Sequence, residues 1–183
     1  MNEERIKNAI RVILEEIGED PDREGLRDTP DRVYRMYKEI FSGIGSDPQD
    51  VLTAVFHEQH KELVIVKDIR FYSVCEHHMV PFFGKAHVGY LPDGKIIGLS
   101  KIARLVDIVS KRLQLQERMT QMIADAMNQR LEPKGVIVML EAEHLCMSMR
   151  GIKRPGSTTV TIATRGIFDT DENMRKRFFE LIK

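Results

Sequence analysis

Four consecutive positions, Cys75, Glu76, His77 and His78, gather a thiol, a carboxylate and two imidazoles in one short segment. Thiolate and imidazole together suit zinc, a borderline-soft ion with no redox chemistry of its own. A second group lies far downstream in EAEHLCMSMRG, which reads as the end of a long strand. Alternation along that strand sets Ala142, His144, Cys146, Ser148 and Arg150 on one face. In an otherwise apolar element the histidine and the arginine each need a partner, and a metal ion and an anion would supply them. Cys75, one of the two adjacent histidines and Cys146 make three ligands and leave a fourth tetrahedral position for water, the arrangement of a catalytic zinc site. Zinc lowers the pKa of such a water towards about 7, and histidines not used as ligands are free to move protons.

The rest of the composition narrows the setting. Cys75 and Cys146 are the only cysteines, whereas a secreted disulfide scaffold of this size carries more. The opening MNEERIKNAIRVILEEIGED mixes charge with apolar positions and lacks the pattern of a signal peptide, and no segment approaches the roughly 20 apolar residues that cross a bilayer. A cytoplasmic protein is expected. The 28 basic and 28 acidic residues cancel, so no net field draws the chain to nucleic acid or an anionic membrane, and an anionic ligand must be met locally. A chain of 183 residues builds one principal core with at most a small appendage.

The elements that must position these residues follow from periodicity. Ile6, Ile10, Ile13, Leu14 and Ile17 recur at helical spacing, and Asp28-Thr29-Pro30 announces a second helix through RVYRMYKEIF. The stretch from Gly45 to His60 reads as an irregular connection. LVIVKDIRFYSV and VPFFGKAHVGYL are β-branched and aromatic, two strands joined at the histidine cluster. Ser100 is placed to cap a helix through KIARLVDIVSKRL, and QERMTQMIADAMNQRL reads as another. GVIVMLEAEHLCMSM reads as a third strand, TTVTIATRGIF as a fourth, and the tail from Asp171 as a terminal helix. The fold class is therefore α+β, with sheet and helices in separate layers. Exposed edge strands of so small a sheet are protected by pairing between subunits.

SVCEHHMVPFFGKAHVGYLP, GLSKIARLV, QLQERMTQ and EAEHLCMSMRGIKRPGSTTVT together resemble type I GTP cyclohydrolase, in the order of that family. The resemblance covers most of the chain, from about EDPDREGLRDTPDRV to the fourth strand. It implies the tunnelling fold, strand-strand-helix-helix-strand-strand, in a toroidal homodecamer, with residues 1–60 a helical region and 61–183 the catalytic domain. It implies Zn2+ held by Cys75, His78 and Cys146, with His77 as the leading acid/base residue and His144 and Ser100 in proton transfer. The substrate implied is GTP, converted with water to 7,8-dihydroneopterin triphosphate and formate by zinc-activated attack on guanine C8, ring opening, deformylation and ribose rearrangement, the first step of folate or pterin synthesis.

The chain has no GxxxxGK[ST] and no GxGxxG after a strand, so phosphate must be held another way. Ser100, Lys101 and Arg104 lie at a helix start that offers backbone N–H groups and positive charge. By resemblance they contact the triphosphate, with Arg150 and, more remotely, Arg32. Glu117 matches the guanine-recognising carboxylate, which accepts from both N1–H and the 2-amino group, a donor pair adenine lacks. Gln116 is expected to add a backbone contact. Glu76 is read as a solvated carboxylate or one that orients an imidazole. Leu113 stands where the family often has proline, which is expected to let the preceding helix run on slightly and bears on the placing of Glu117. Two alternatives to this reading are a hydrolase of the same fold that opens another purine or stops at the formamide, and a non-catalytic, zinc-stabilised oligomer that binds purine or pterin for regulation.

Overall fold

The computed structural model describes residues 1–183. It divides into two compact units, Met1–Ser42 and Gly43–Lys183.

The first unit is a pair of helices, α1 (Glu3–Glu16) and α2 (Thr29–Ile40). Asn2 caps α1 by accepting from the Arg5 N–H, and Pro30 occupies the first turn of α2, where its missing N–H costs nothing. Lys7 of α1 pairs with Asp31 of α2 at 2.8 Å.

The second unit is built on a five-stranded sheet. Its strands are β2 (Val64–Cys75), β3 (Pro81–Leu91), β5 (Leu113–Gln114), β6 (Gly135–His144) and β7 (Thr158–Gly166), in the spatial order β5-β2-β3-β6-β7. All neighbours are antiparallel except the short β5, which runs parallel to the end of β2. A separate ribbon pairs β1 (Val55–His57) with β4 (Lys95–Ile97). Two helices, α3 (Leu99–Ser110) and α4 (Gln116–Leu131), cover one face of the sheet. Their apolar stripes, including Ile102, Leu105, Val109, Ile123 and Met127, meet Phe71, Phe82, Val88, Val138 and Leu140 in one core whose members are almost wholly buried. On the opposite face a short α6 (Ile167–Thr170) and the terminal α7 (Glu172–Ile182) cover one end, where Phe168 and Phe178 pack with Ile137. The remainder of that face leaves Tyr72, Val160 and Ile162 exposed.

The structure corrects the sequence reading at several elements. The Gly45–His60 stretch is not irregular throughout: it holds a 3-10 turn at Pro48–Val51 as well as β1. Residues 43–60 belong to the second unit, where Leu52 is fully buried and its carbonyl accepts from Arg130 Nε at 2.9 Å. Helix α3 begins at Leu99 with Gly98 as its cap, so Ser100 sits in the first turn and makes no cap bond. That helix does not run on towards Leu113 but ends at Ser110, because Leu113 and Gln114 pair with Val74 and Cys75. The third strand ends at His144, where sequence alternation carried it to Met149. Neither neighbour continues past that point: β7 begins at Thr158 opposite Glu143, and beyond the Phe82–His144 pair β3 has only Pro81, which has no N–H to give. The backbone closes instead into a helical turn, α5 (Leu145–Ser148).

Candidate metal centre and purine site

The turn between β2 and β3 sets the first half of the site. Cys75 N–H donates to Val80 O at 3.0 Å and Met79 N–H to Cys75 O at 2.9 Å, with Met79 in the left-handed region at φ 53°. This single tight turn brings Cys75, buried at the strand end, and the exposed His78 to the same side, three residues apart. The second half comes from α5. Because β6 has left the sheet, Cys146 arrives on a helical turn, and Cys146, Ser148 and Arg150 do not share the strand face of Ala142 and His144.

The result is convergence. The donor atoms of Cys75, His78 and Cys146 lie within 4.8 Å of one another, a spacing that one tetrahedral ion with metal–sulfur bonds of about 2.3 Å spans. Burial pushes the Cys146 thiol up from its ordinary pKa, and the neighbouring Cys75 pushes it further. Two thiols facing each other resist sharing negative charge, and a divalent cation between them reverses that preference. Two soft sulfurs and one imidazole fit zinc. Arg150 reaches in beside them, its guanidinium 3.2 Å from His78 Nε2. The ring of His77 stands edge-on to that of His78, with centroids 6.4 Å apart.

His144 lies alongside, stacked on Phe82 with the rings 4.6 Å apart and 3° from parallel. Its Nε2 is 2.8 Å from Gln116 Oε1 at the start of α4. Burial pulls the His144 pKa down, opposed by the carboxylate of Glu117, so the neutral ring is favoured near pH 7. Glu117 itself is exposed in the first turn of α4. Glu76 does not orient an imidazole: it accepts from Arg118 Nη2, and Arg118 also donates to Gln114 Oε1 and Leu113 O. That ion pair ties the cysteine–histidine turn to the segment preceding Glu117. Glu143 serves the other half, accepting from Ser148 Oγ at 2.6 Å and from Gly156 N–H at 3.2 Å, which pins the loop after Arg150.

The matches to known proteins agree with this geometry. A family model described as GTP cyclohydrolase I matches residues 6–183. The chain belongs to the GTP cyclohydrolase I family. It is 57% identical over 183 residues to the GTP cyclohydrolase 1 of Clostridium kluyveri, covering 100% of this chain and 99% of that one. It is 59% identical over 184 residues to that of Geobacillus kaustophilus, covering 100% and 98% respectively. Among solved structures, the apo archaeosine synthase QueF-Like aligns with a TM-score of 0.50 at 20% identity, over 59% of this chain and 97% of that one, a likeness of fold. Members of the GTP cyclohydrolase I family are hydrolases, and no helix of this one is long and apolar enough to cross a membrane.

Not every residue singled out from sequence joins the cluster within one chain. Cys75, His77, His78, His144, Cys146, Arg150, Gln116 and Glu117 gather at the end of the sheet where β2 and β6 finish. Ser100, Lys101 and Arg104 do not: they lie on the first turns of α3, whose other end, Ser110, accepts from Ser73 Oγ near that cluster at 2.7 Å. At 1.5 Å rise per residue, Ser100 is about 15 Å along the helix from Ser110. Arg32 lies in the first unit, paired with Asp28 at 3.4 Å. The sequence reading missed Phe82, Arg118 and Glu143, and it missed the bond between the Gln116 side chain and His144. None of these had a signal in the sequence, since Gln114, the partner of Arg118, lies on β5 before the start of α4.

Proposed function

We propose that this chain is a zinc-dependent GTP cyclohydrolase that converts GTP and water to 7,8-dihydroneopterin triphosphate and formate. The observation that carries the reading is the convergence of Cys75, His78 and Cys146 beside His144, in a chain of the GTP cyclohydrolase I family. Zinc held by those three residues supplies Lewis-acid activation of water for attack at guanine C8.

The chain's own residues do the remainder. Glu117 accepts from guanine N1–H and the 2-amino group, and so orients C8 and rejects adenine. His77, exposed next to His78, donates a proton to the imidazole-ring nitrogen as the ring opens. His144 takes up and returns protons during the ribose rearrangement, with Ser100 assisting. Arg150, at the mouth of the metal site, holds phosphate together with Ser100, Lys101 and Arg104, and Arg32 adds charge.

The helix length between Ser100 and the cluster favours a site shared between chains, with phosphate contacts from one subunit and metal and purine contacts from another. A homodecamer with its sheets joined edge to edge meets that need, and β7, a nine-residue edge strand with Val160 and Ile162 exposed, provides a surface for joining. The setting we assign is cytoplasmic, at the entry to folate or pterin synthesis. Formate release by the zinc-loaded protein tests the reading, with a Cys146→Ala variant and ATP as controls. We expect formate from GTP only, and none from the variant. Zinc retained by the parent without formate from GTP would refute it.

A further inference from the structure

A closed set of hydrogen bonds around Gln116 determines where His144 carries its proton. Gln116 is 1% exposed, and its amide nitrogen donates to Thr159 O at 2.9 Å and is shared between Leu140 O at 3.2 Å and Thr161 Oγ1 at 3.1 Å. The two carbonyls can only accept. Thr120 Oγ1 donates to Gln116 O at 2.7 Å, which spends its one hydrogen, so in the 2.6 Å contact between Thr120 and Thr161 the Thr161 hydroxyl is the donor. The lone pairs of Thr161 Oγ1 then face the Gln116 amide. Turning that amide over would set its oxygen against two backbone carbonyl oxygens, so Oε1 must point at His144 Nε2, 2.8 Å away. An amide oxygen only accepts; the hydrogen between them belongs to the histidine.

A neutral imidazole has one N–H, and with that hydrogen on Nε2 the lone pair is on Nδ1. Nδ1 lies outside the network. Arg112 Nε is the one buried side-chain nitrogen or oxygen left without a partner, so the unbonded Nδ1 of His144 is not sealed in the core. Stacking on Phe82 holds the plane of the ring. A buried carboxamide joined to two threonines is a costly insertion into an apolar layer, and its one contact beyond backbone and threonine is this histidine.

We propose that Gln116 is a positioning residue that fixes the His144 proton on Nε2 and presents the Nδ1 lone pair as the proton acceptor of the site. The second half of this statement rests on the hydrolase reading above; the first does not. In the step it serves, an O–H or C–H bond of the substrate breaks and leaves its electron pair on the substrate. The proton bonds to Nδ1, and the resulting imidazolium keeps its Nε2–H on Gln116 Oε1. The same proton then returns to another atom of that substrate, so none is consumed.

The test is 15N NMR of the zinc-loaded protein labelled at histidine nitrogen, with the His144 signals assigned by their loss in His144→Gln. We expect an N–H-type Nε2 and a lone-pair-type Nδ1 in the parent. Gln116→Met, similar in size but without an acceptor, should mix the two tautomers and lower kcat by about tenfold to a hundredfold with KM little changed. Gln116→Glu, protonated on the oxygen that faces Thr159 O so that it still donates there, keeps an acceptor facing Nε2 and should keep both the tautomer and most of kcat. A purely structural role predicts the reverse order, since Glu gives up an amide donor in a buried place, and predicts no change of tautomer in either variant. An Nδ1–H tautomer in the parent, or an unchanged one in Gln116→Met, overturns the proposal. The parent spectrum decides even if both variants misfold, and absence of formate from GTP would sink the hydrolase reading while leaving the tautomer result intact.

Discussion

Gly84→Ala is a stringent perturbation of the scaffold beneath the site. Gly84 faces Ala142 across the β3–β6 ladder, and a Cβ at Gly84 would lie 1.9 Å from Glu141 O and 2.7 Å from Ala142 Cα. Both obstacles are backbone, so no side chain can swing away. Restoring ordinary contact requires the strands to part by about 1.5 Å, which overpacks the ladder at a cost of about 1–3 kcal/mol. It also weakens about two flanking hydrogen bonds at about 1 kcal/mol each, for a total of about 3–5 kcal/mol. The displacement falls two positions from the Phe82–His144 pair, so the separation reaches the ring that stacks there. The assay is urea unfolding of Gly84→Ala, at one protein concentration, beside Gly98→Ala, whose Cβ would meet nothing nearer than 3.5 Å. We expect Gly98→Ala within about 1 kcal/mol of the parent. A Gly84→Ala loss below about 1 kcal/mol would refute the claim that the two backbones touch at this point.

Other outcomes follow from the site and its surroundings. Glu117→Gln replaces a double acceptor by a group with one acceptor and one donor, and should lower kcat/KM for GTP about a hundredfold in steady-state assays. Arg118→Met removes the anchor of Glu76, Gln114 Oε1 and Leu113 O; the partly exposed pair is worth about 1 kcal/mol, but loosening the Cys75–His78 turn should weaken zinc retention against a chelator. His87 is buried and held below its ordinary pKa by that burial. The unfolded chain therefore takes up the proton first, so stability is level above about pH 6.5 and falls below it by up to about 1.4 kcal/mol per pH unit for this group. Denaturation at pH 7.5 and 5.5 should show a shallower loss in His87→Gln.

Local signals made much of the fold legible. The 3.6-residue period located α4 to the residue, and the β-branched runs located β2 and β3. The end of β6 was not legible, because HLCMSM alternates plausibly as a strand. What ends the strand is the exhaustion of partners on both sides, at Pro81 and at Thr158, and that is a property of register rather than of the segment. Cys75, Cys146 and one of the two adjacent histidines could be read as candidate metal ligands from their types, since few arrangements other than a metal site gather two thiols and imidazoles, whereas the choice of His78 over His77 came from the family resemblance. The roles of Gln116, Arg118 and Phe82 depend on which side chains the sheet and α4 bring within 3 to 5 Å, and no spacing in the sequence encodes those distances.

The assembly of the metal site from a hairpin turn and a distant helical turn has a consequence for the order in which the molecule is made. Cys75 and His78 leave the ribosome on a local hairpin, which closes in about 1–10 μs. Cys146 follows only after about seventy more residues have been synthesised, at 5–20 residues per second, and it reaches them only when β6 has zipped onto β3. For some seconds of each synthesis the chain therefore offers half a metal site, one thiol and neighbouring imidazoles, to whatever ion or oxidant is near. An ion held by Cys75, His78 and Cys146 would gain its full affinity only with that long-range strand pairing, so its retention would report that the sheet has closed.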